Sequence, residues 1–194
     1  MALLRRGFKT WCENAARGYR RDLGLSPISP LDPRILAKHL GITIWTPADI
    51  PGIDPKDVRH LTVTARESWS AATLHKGNAS LIIVNNGHAP ARQNNSLAHE
   101  VGHVVLGHTP ATMCVTPDGL MMMSEYNPAH EEEANWFAGA ILLPRDALLD
   151  VIGRGVADRA AADYFGVSGA VFQMRRNLTG VNVQLSRRRG TWAP

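Results

Sequence analysis

Apolar residues recur near helical spacing over residues 8–23, where Phe8, Trp11, Cys12, Ala15, Tyr19 and Leu23 mark one face of an amphipathic helix. Leu25 to Pro33 is a proline-rich connection. Pro33 suits the first turn of a short helix, Arg34 to Leu40, closed by Gly41. Ile42 to Trp45 reads as a strand. From Leu61 the period changes. Leu61-Thr-Val-Thr, Trp69 to Leu74 and Leu81 to Val84 are short strand-like runs separated by turn residues such as Lys76-Gly77-Asn78, which predicts a small antiparallel sheet, a meander. After Asn85-Asn86-Gly87, Ala89 to His108 reads as one long helix, and Thr109 to Asn127 as an irregular loop containing Pro110, Pro117 and Asp118-Gly119. Pro128 opens a second helix that runs to about Leu143, and Pro144 opens another. Two more short helices follow, broken at Phe165-Gly166-Val167-Ser168. The expected fold class is α+β, a small antiparallel sheet packed against several helices, with a helical C-terminal part.

The chain has 194 residues, 44% hydrophobic and 20% charged, enough apolar content for a proper core. The expectation is one domain over 1–194: N-terminal helices and a strand over 8–60, sheet and ligand helices over 61–144, a helical part over 145–185 and a basic tail over 186–194. The longest apolar stretch, Trp136 to Leu143, falls far short of the roughly 20 residues that span a membrane. The opening Met1-Ala-Leu-Leu-Arg-Arg has no signal-like apolar region, and two cysteines make neither a disulfide framework nor a four-cysteine zinc site. A cytoplasmic location with no membrane partner is expected. The formal net charge is +4, and arginines cluster at both ends. Such ends could attract nucleic acid or an acidic partner. Solvated helix faces explain them more simply, and nucleic acid is not favoured.

The chemistry concentrates in His99-Glu100-Val101-Gly102-His103. Four residues on a helix turn through a net angle of about 40°, so both imidazoles leave one face a turn apart and can share one Zn²⁺. Glu100 lies about 100° round from His99, where it can take a proton from an attacking water. A catalytic zinc needs a third protein ligand. His108 lies nine residues after His99, on the opposite face of a continuing helix, and its expected place is the helix end, where it suits the dipole. Glutamate on a second helix is the alternative, and three compete in His130-Glu131-Glu132-Glu133. Glu131 shares a face with Ala134, Asn135 and Ala138, small residues apart from the acid and the amide. Glu132 and Glu133 point elsewhere and suit the acidic first turns of a helix. Glu131 is therefore the expected ligand, and Asn135, a turn later, could orient a ligating histidine. Gly102 would let the second helix approach closely.

Arg92-x-x-x-x-Leu97-Ala98-His99-Glu100-Val101-Gly102-His103, followed by Glu131-x-x-Ala134-Asn135-x-Phe137-Ala138-x-x-x-Leu142-Leu143-Pro144, resembles the ImmA/IrrE family of metallopeptidases. The strong motifs cover about 88–144. The resemblance implies a zincin-like domain with His99, His103 and Glu131 as zinc ligands and Glu100 as catalytic base. It also implies a zinc-dependent endopeptidase whose partner is a protein substrate, a helix-turn-helix transcriptional repressor encoded nearby, inactivated by cleavage to relieve repression.

A zinc-stabilised regulatory or DNA-binding module, or a toxin–antitoxin component, without turnover is the competing reading. Glu100 argues against it, because a structural site needs no base beside an open position. Tyr126 and His130 are candidates to stabilise an oxyanion. Cys114 could reach the metal, although a small buried thiol is the plainer expectation. Met121 to Met123 offer an adaptable apolar surface, and Trp69 to Leu74 could accept an extended peptide if that strand is a sheet edge. Ala162 to Asn177, with Phe172, Arg175 and Arg176, resembles a helix-turn-helix, although two helices joined at a glycine are also ordinary core structure.

Overall fold

The computed structural model describes residues 4–77, 79–108, 113–115, 121–123 and 127–190. Helix α1 (Phe8–Asp22) and α2 (Pro33–His39) precede strand β1 (Thr43–Trp45); α3 (Pro55–Arg59) then leads to β2 (Ala71–Lys76), β3 (Ala79–Val84) and the long α4 (Pro90–Leu106). Strands β4 (Met113–Val115) and β5 (Met121–Met123) come before α5 (Pro128–Leu142), and α6 (Arg145–Gly153), α7 (Asp158–Tyr164), α8 (Gly169–Leu178) and α9 (Val181–Gly190) complete the chain. The fold is α+β, as expected from the sequence.

Four expectations need correction. The sheet is mixed: its order is β1-β3-β2, with β2 antiparallel to β3 but β1 parallel to it, Thr43 opposite Leu81 and Thr73 opposite Ile82. A hairpin joins only antiparallel neighbours. The long helical excursion between β1 and β3 supplies the crossover that a parallel pair requires. Leu61-Thr-Val-Thr is no strand, because α3, capped by Asp54 and opened by Pro55, continues into a π-helical turn over His60–Thr64. There Thr62 donates its hydroxyl to the Val58 carbonyl at 2.8 Å, a local bond that favours helix over its β-branched preference. Inside the expected irregular loop, β4 and β5 pair as an antiparallel ladder, Met113 opposite Met123; two apolar runs flanking a segment with Asp118-Gly119 carry hairpin chemistry. The expected tail also begins as helix, since Ser186 to Gly190 belong to α9, anchored by the buried Val181.

Helices α4 and α5 pack together and have a core on each side. Leu97, Val101, Trp136, Phe137, Ala140 and Ile141 join α1, α2 and the sheet, whereas Ala98, Ala138 and Leu142 join the helices from α6 onward. Gly102 permits this approach. A methyl group there would meet Phe137 Cδ1 at 3.1 Å and the Ala134 backbone at 3.3 Å.

Arginines expected on solvated surfaces do structural work instead. Arg20, fully buried, donates to the carbonyls of Ser29 (2.8 Å), Ala16 (3.1 Å) and Ile141 (2.8 Å), and burial lowers its pKa to about 10. Arg175, 1% exposed, donates to the Leu143 carbonyl at 3.1 Å and to Glu13 Oε1 at 2.6 Å. The last carbonyls of a helix lack intrahelical partners, and these two guanidinium groups satisfy that need at the end of α5. Arg176 pairs with Asp158 at 2.8 Å. In the helix-turn-helix-like segment one arginine is thus a core residue, and the other joins α8 to α7.

Candidate metal centre

Pro90 starts α4 and Gly107 stops it, at a φ of 64° that glycine adopts without strain. Between them Leu97, Ala98, Val101 and Gly102 face inward, which leaves His99, Glu100 and His103 partly buried on the side toward β2 and α5. Helix α5 starts where Asn127 accepts from the Ala129 amide at 3.0 Å, with Pro128 in its first turn, and this start brings Glu131 to the histidines.

The Nε2 atoms of His99 and His103 lie 3.0 Å apart. Glu131 Oε2 is 3.2 Å from His99 Nε2, and Oε1 is 3.5 Å from His103 Nε2. One ligand atom from each of the three residues lies within 4.8 Å of the others, a group that could hold a metal ion. The donors suit a first-row ion. Two imidazole nitrogens and a carboxylate form a His₂Glu set, which would hold an ion and leave it free to take water or substrate as a further ligand. Burial, reinforced by the nearby His99, His108 and His130, pulls the His103 pKa down to about 4, so the ring is neutral and its lone pair available. His99 Nδ1 lies 2.9 Å from Asn135 Oδ1 and must carry the proton of that bond, which frees Nε2.

Glu100 lies beside this group without joining it. Burial raises its carboxyl pKa, the Thr73 hydroxyl bond and the charge of His99 oppose that rise, and Glu131 adds to it. Thr73 donates to Glu100 Oε2 from β2, an edge of the three-stranded sheet. Sequence spacing suggested no such partner, because Thr73 comes from another element. Arg92 binds Glu67 and Ser70 beside the sheet.

His108 is the other partner not foreseen. It does more than end the helix: beyond the Gly107 turn its ring folds back, with Nδ1 3.0 Å from His103 Nδ1 and Nε2 3.0 Å from Glu133 Oε2. His130 stacks on it, 4.2 Å between centroids and 3° between planes. Glu132 is exposed. A histidine just after a helix-stopping glycine was the available signal, since that turn sends the chain back along the helix. Tyr126 lies outside the described residues, as do the side chains of Cys114 and Met121 to Met123.

A helix offering two imidazoles, a second helix offering a carboxylate and a partly buried glutamic acid between the sheet and these donors define a metallopeptidase-type domain. The family model described as Peptidase_M78, IrrE N-terminal-like domain, matches residues 38–177, and the chain belongs to that family. No curated protein matches it. No helix among the described residues is long and apolar enough to cross a membrane.

Proposed function

We propose that the protein is a zinc-dependent endopeptidase that hydrolyses a peptide bond in a partner protein, a cytoplasmic helix-turn-helix repressor encoded nearby, and thereby relieves repression. The observation that carries the reading is the partly buried Glu100, set beside a three-donor group that it does not join. His99, His103 and Glu131 hold the ion, and Asn135 fixes the ring of His99. When bound, zinc supplies Lewis acidity, polarising a carbonyl oxygen and acidifying water. Glu100 takes the proton of the attacking water and delivers it to the leaving amine; its raised pKa suits both transfers, because a stronger acid would be a poorer base. An extended substrate fits the outer edge of β2, whose Thr73 holds Glu100, so strand addition would bring a peptide alongside the base. Such entry favours a loop or linker of a folded partner over its helices.

The test is to purify the protein with zinc and incubate it with the repressor encoded beside it. The expected result is about one ion per chain and one major cut. Glu100→Gln keeps the ion and slows cleavage by about 10²–10⁴-fold, because an amide cannot take up the proton. Wild-type cleavage by that variant removes Glu100 from the mechanism. Rapid digestion of casein with no preference for the repressor would replace this reading with a general peptidase. Ion binding without any cleavage would support the regulatory-module alternative.

A further inference from the structure

We propose that His108 and Glu133 form a positioning relay that fixes the tautomer and ring orientation of His103, an inference that rests on His99, His103 and Glu131 being the metal ligands. A histidine that ligates through Nε2 must carry its proton on Nδ1. In His103 that nitrogen faces His108 Nδ1 at 3.0 Å. Two N–H groups cannot point at each other, so His108 offers a lone pair there and carries its own proton on Nε2. That Nε2 faces Glu133 Oε2 at 3.0 Å, and a carboxylate accepts. The chain therefore runs in one direction, from His103 Nδ1–H to His108, and from His108 Nε2–H to Glu133. The reverse order would need a protonated Glu133 and would put the His103 proton on Nε2, where it blocks the ion. Both nitrogens of His108 are engaged, which also explains why this histidine is no ligand.

The relay is built from separate elements. The Gly107 turn brings His108 back, and the His108 amide donates to the His103 carbonyl at 3.0 Å. Helix α5 supplies Glu133 two residues after Glu131, Arg5 Nε stands 3.5 Å from Glu133 Oε1, and His130 covers the His108 ring. The side chains of His108 and Glu133 are only 4% and 15% exposed, so water competes weakly for their bond. His99 has a one-step support, the neutral Asn135. His103 has a two-step support ending on a charge, and a charged acceptor strengthens the basicity passed along the chain.

The test measures zinc affinity of the full chain by competition with a chelator at one neutral pH. His108→Leu and Glu133→Ala should each weaken binding by about 10–100-fold. His108→Gln should recover most of the loss, because its amide can accept from His103 and donate to Glu133. The visible spectrum of the cobalt-loaded protein should shift in His108→Leu and return in His108→Gln, which a merely structural role would not produce. In the double variant His108→Leu/Glu133→Ala the losses should not add, since either substitution cuts the same chain. Wild-type affinity in both single variants, additive losses, or no recovery in His108→Gln would overturn the relay. If His108→Leu fails to fold, by circular dichroism of the metal-free protein, Glu133→Ala decides. Undiminished binding in His103→Ala or Glu131→Ala would instead show that the ligand assignment itself is wrong.

Discussion

The two ends of α5 use charge for opposite purposes. At its start Glu131 and Asn135 turn toward the imidazoles of α4 and Glu133 toward His108 just beyond it, half-open and arranged around a group of donors. At its end Ala138 to Leu143 are all buried, and the charges that approach, Arg20 and Arg175, are guanidinium groups sunk onto the last carbonyls. One end holds polar groups ready for an outside ion. The other has guanidinium donors on the Ile141 and Leu143 carbonyls, so that the helix can end inside the protein. An acidic run and a basic run are equally conspicuous in a sequence, yet only the acidic one belongs to the candidate site.

The contrast breaks most severely at the buried end. Arg175→Met should destabilise the protein by about 3–5 kcal/mol, because it removes the charged partner of Glu13 and the donor to the Leu143 carbonyl, leaving Glu13 only the Arg145 amide; urea unfolding measures it. Adding Glu13→Gln should return part of that loss. The folded fraction of either variant should keep its zinc, since neither residue touches the donor group. Loss of the ion together with full stability would reverse the division between the two ends.

Gly102→Ala tests how far the donor end depends on packing. The added methyl presses on Phe137 and the Ala134 backbone, and overpacking of this kind costs about 1–3 kcal/mol. Zinc affinity should fall with it, as α5 moves and takes Glu131 with it. An unchanged affinity would show that the carboxylate follows the histidines without help from the helix pair.

The smallest effect concerns protons. With a folded-state pKa of about 4, below its ordinary value of 6.5, His103 stabilises the metal-free protein above pH 6.5, and that contribution disappears as the pH falls toward 4. The metal-free melting temperature should drop across this window, by roughly a few degrees. The drop should be shallower in His103→Asn; equal slopes would mean that other groups cause it.

Much of the donor group was legible because a helix converts sequence spacing into direction. His99, Glu100 and His103 need only the helical period, and Glu131 with Asn135 needs the same period applied to a second segment. What escaped depends on contacts between segments. The parallel pairing of β1 with β3 has no local signature. The burial of Arg20 and Arg175 depends on carbonyls 121 and 32 residues away. Thr73 reaches Glu100 from another element, and the contacts of His108 with His103 and Glu133 escaped because they depend on the turn that Gly107 makes beyond the helix. Leu61-Thr-Val-Thr misled for the opposite reason: alternation over four residues is too short to outweigh a helix already started by Asp54 and Pro55.

Gly102, Ala134 and Phe137 touch no ligand atom, yet they act as the gauge of the site. The spacing between α4 and α5 determines the gap between the imidazoles and the Glu131 carboxylate, and so the size of ion that can bridge them. A fraction of an ångström separates the bond lengths preferred by competing divalent ions. If the three donors hold an ion, its preference would be adjustable from the hydrophobic core, with every donor residue unchanged.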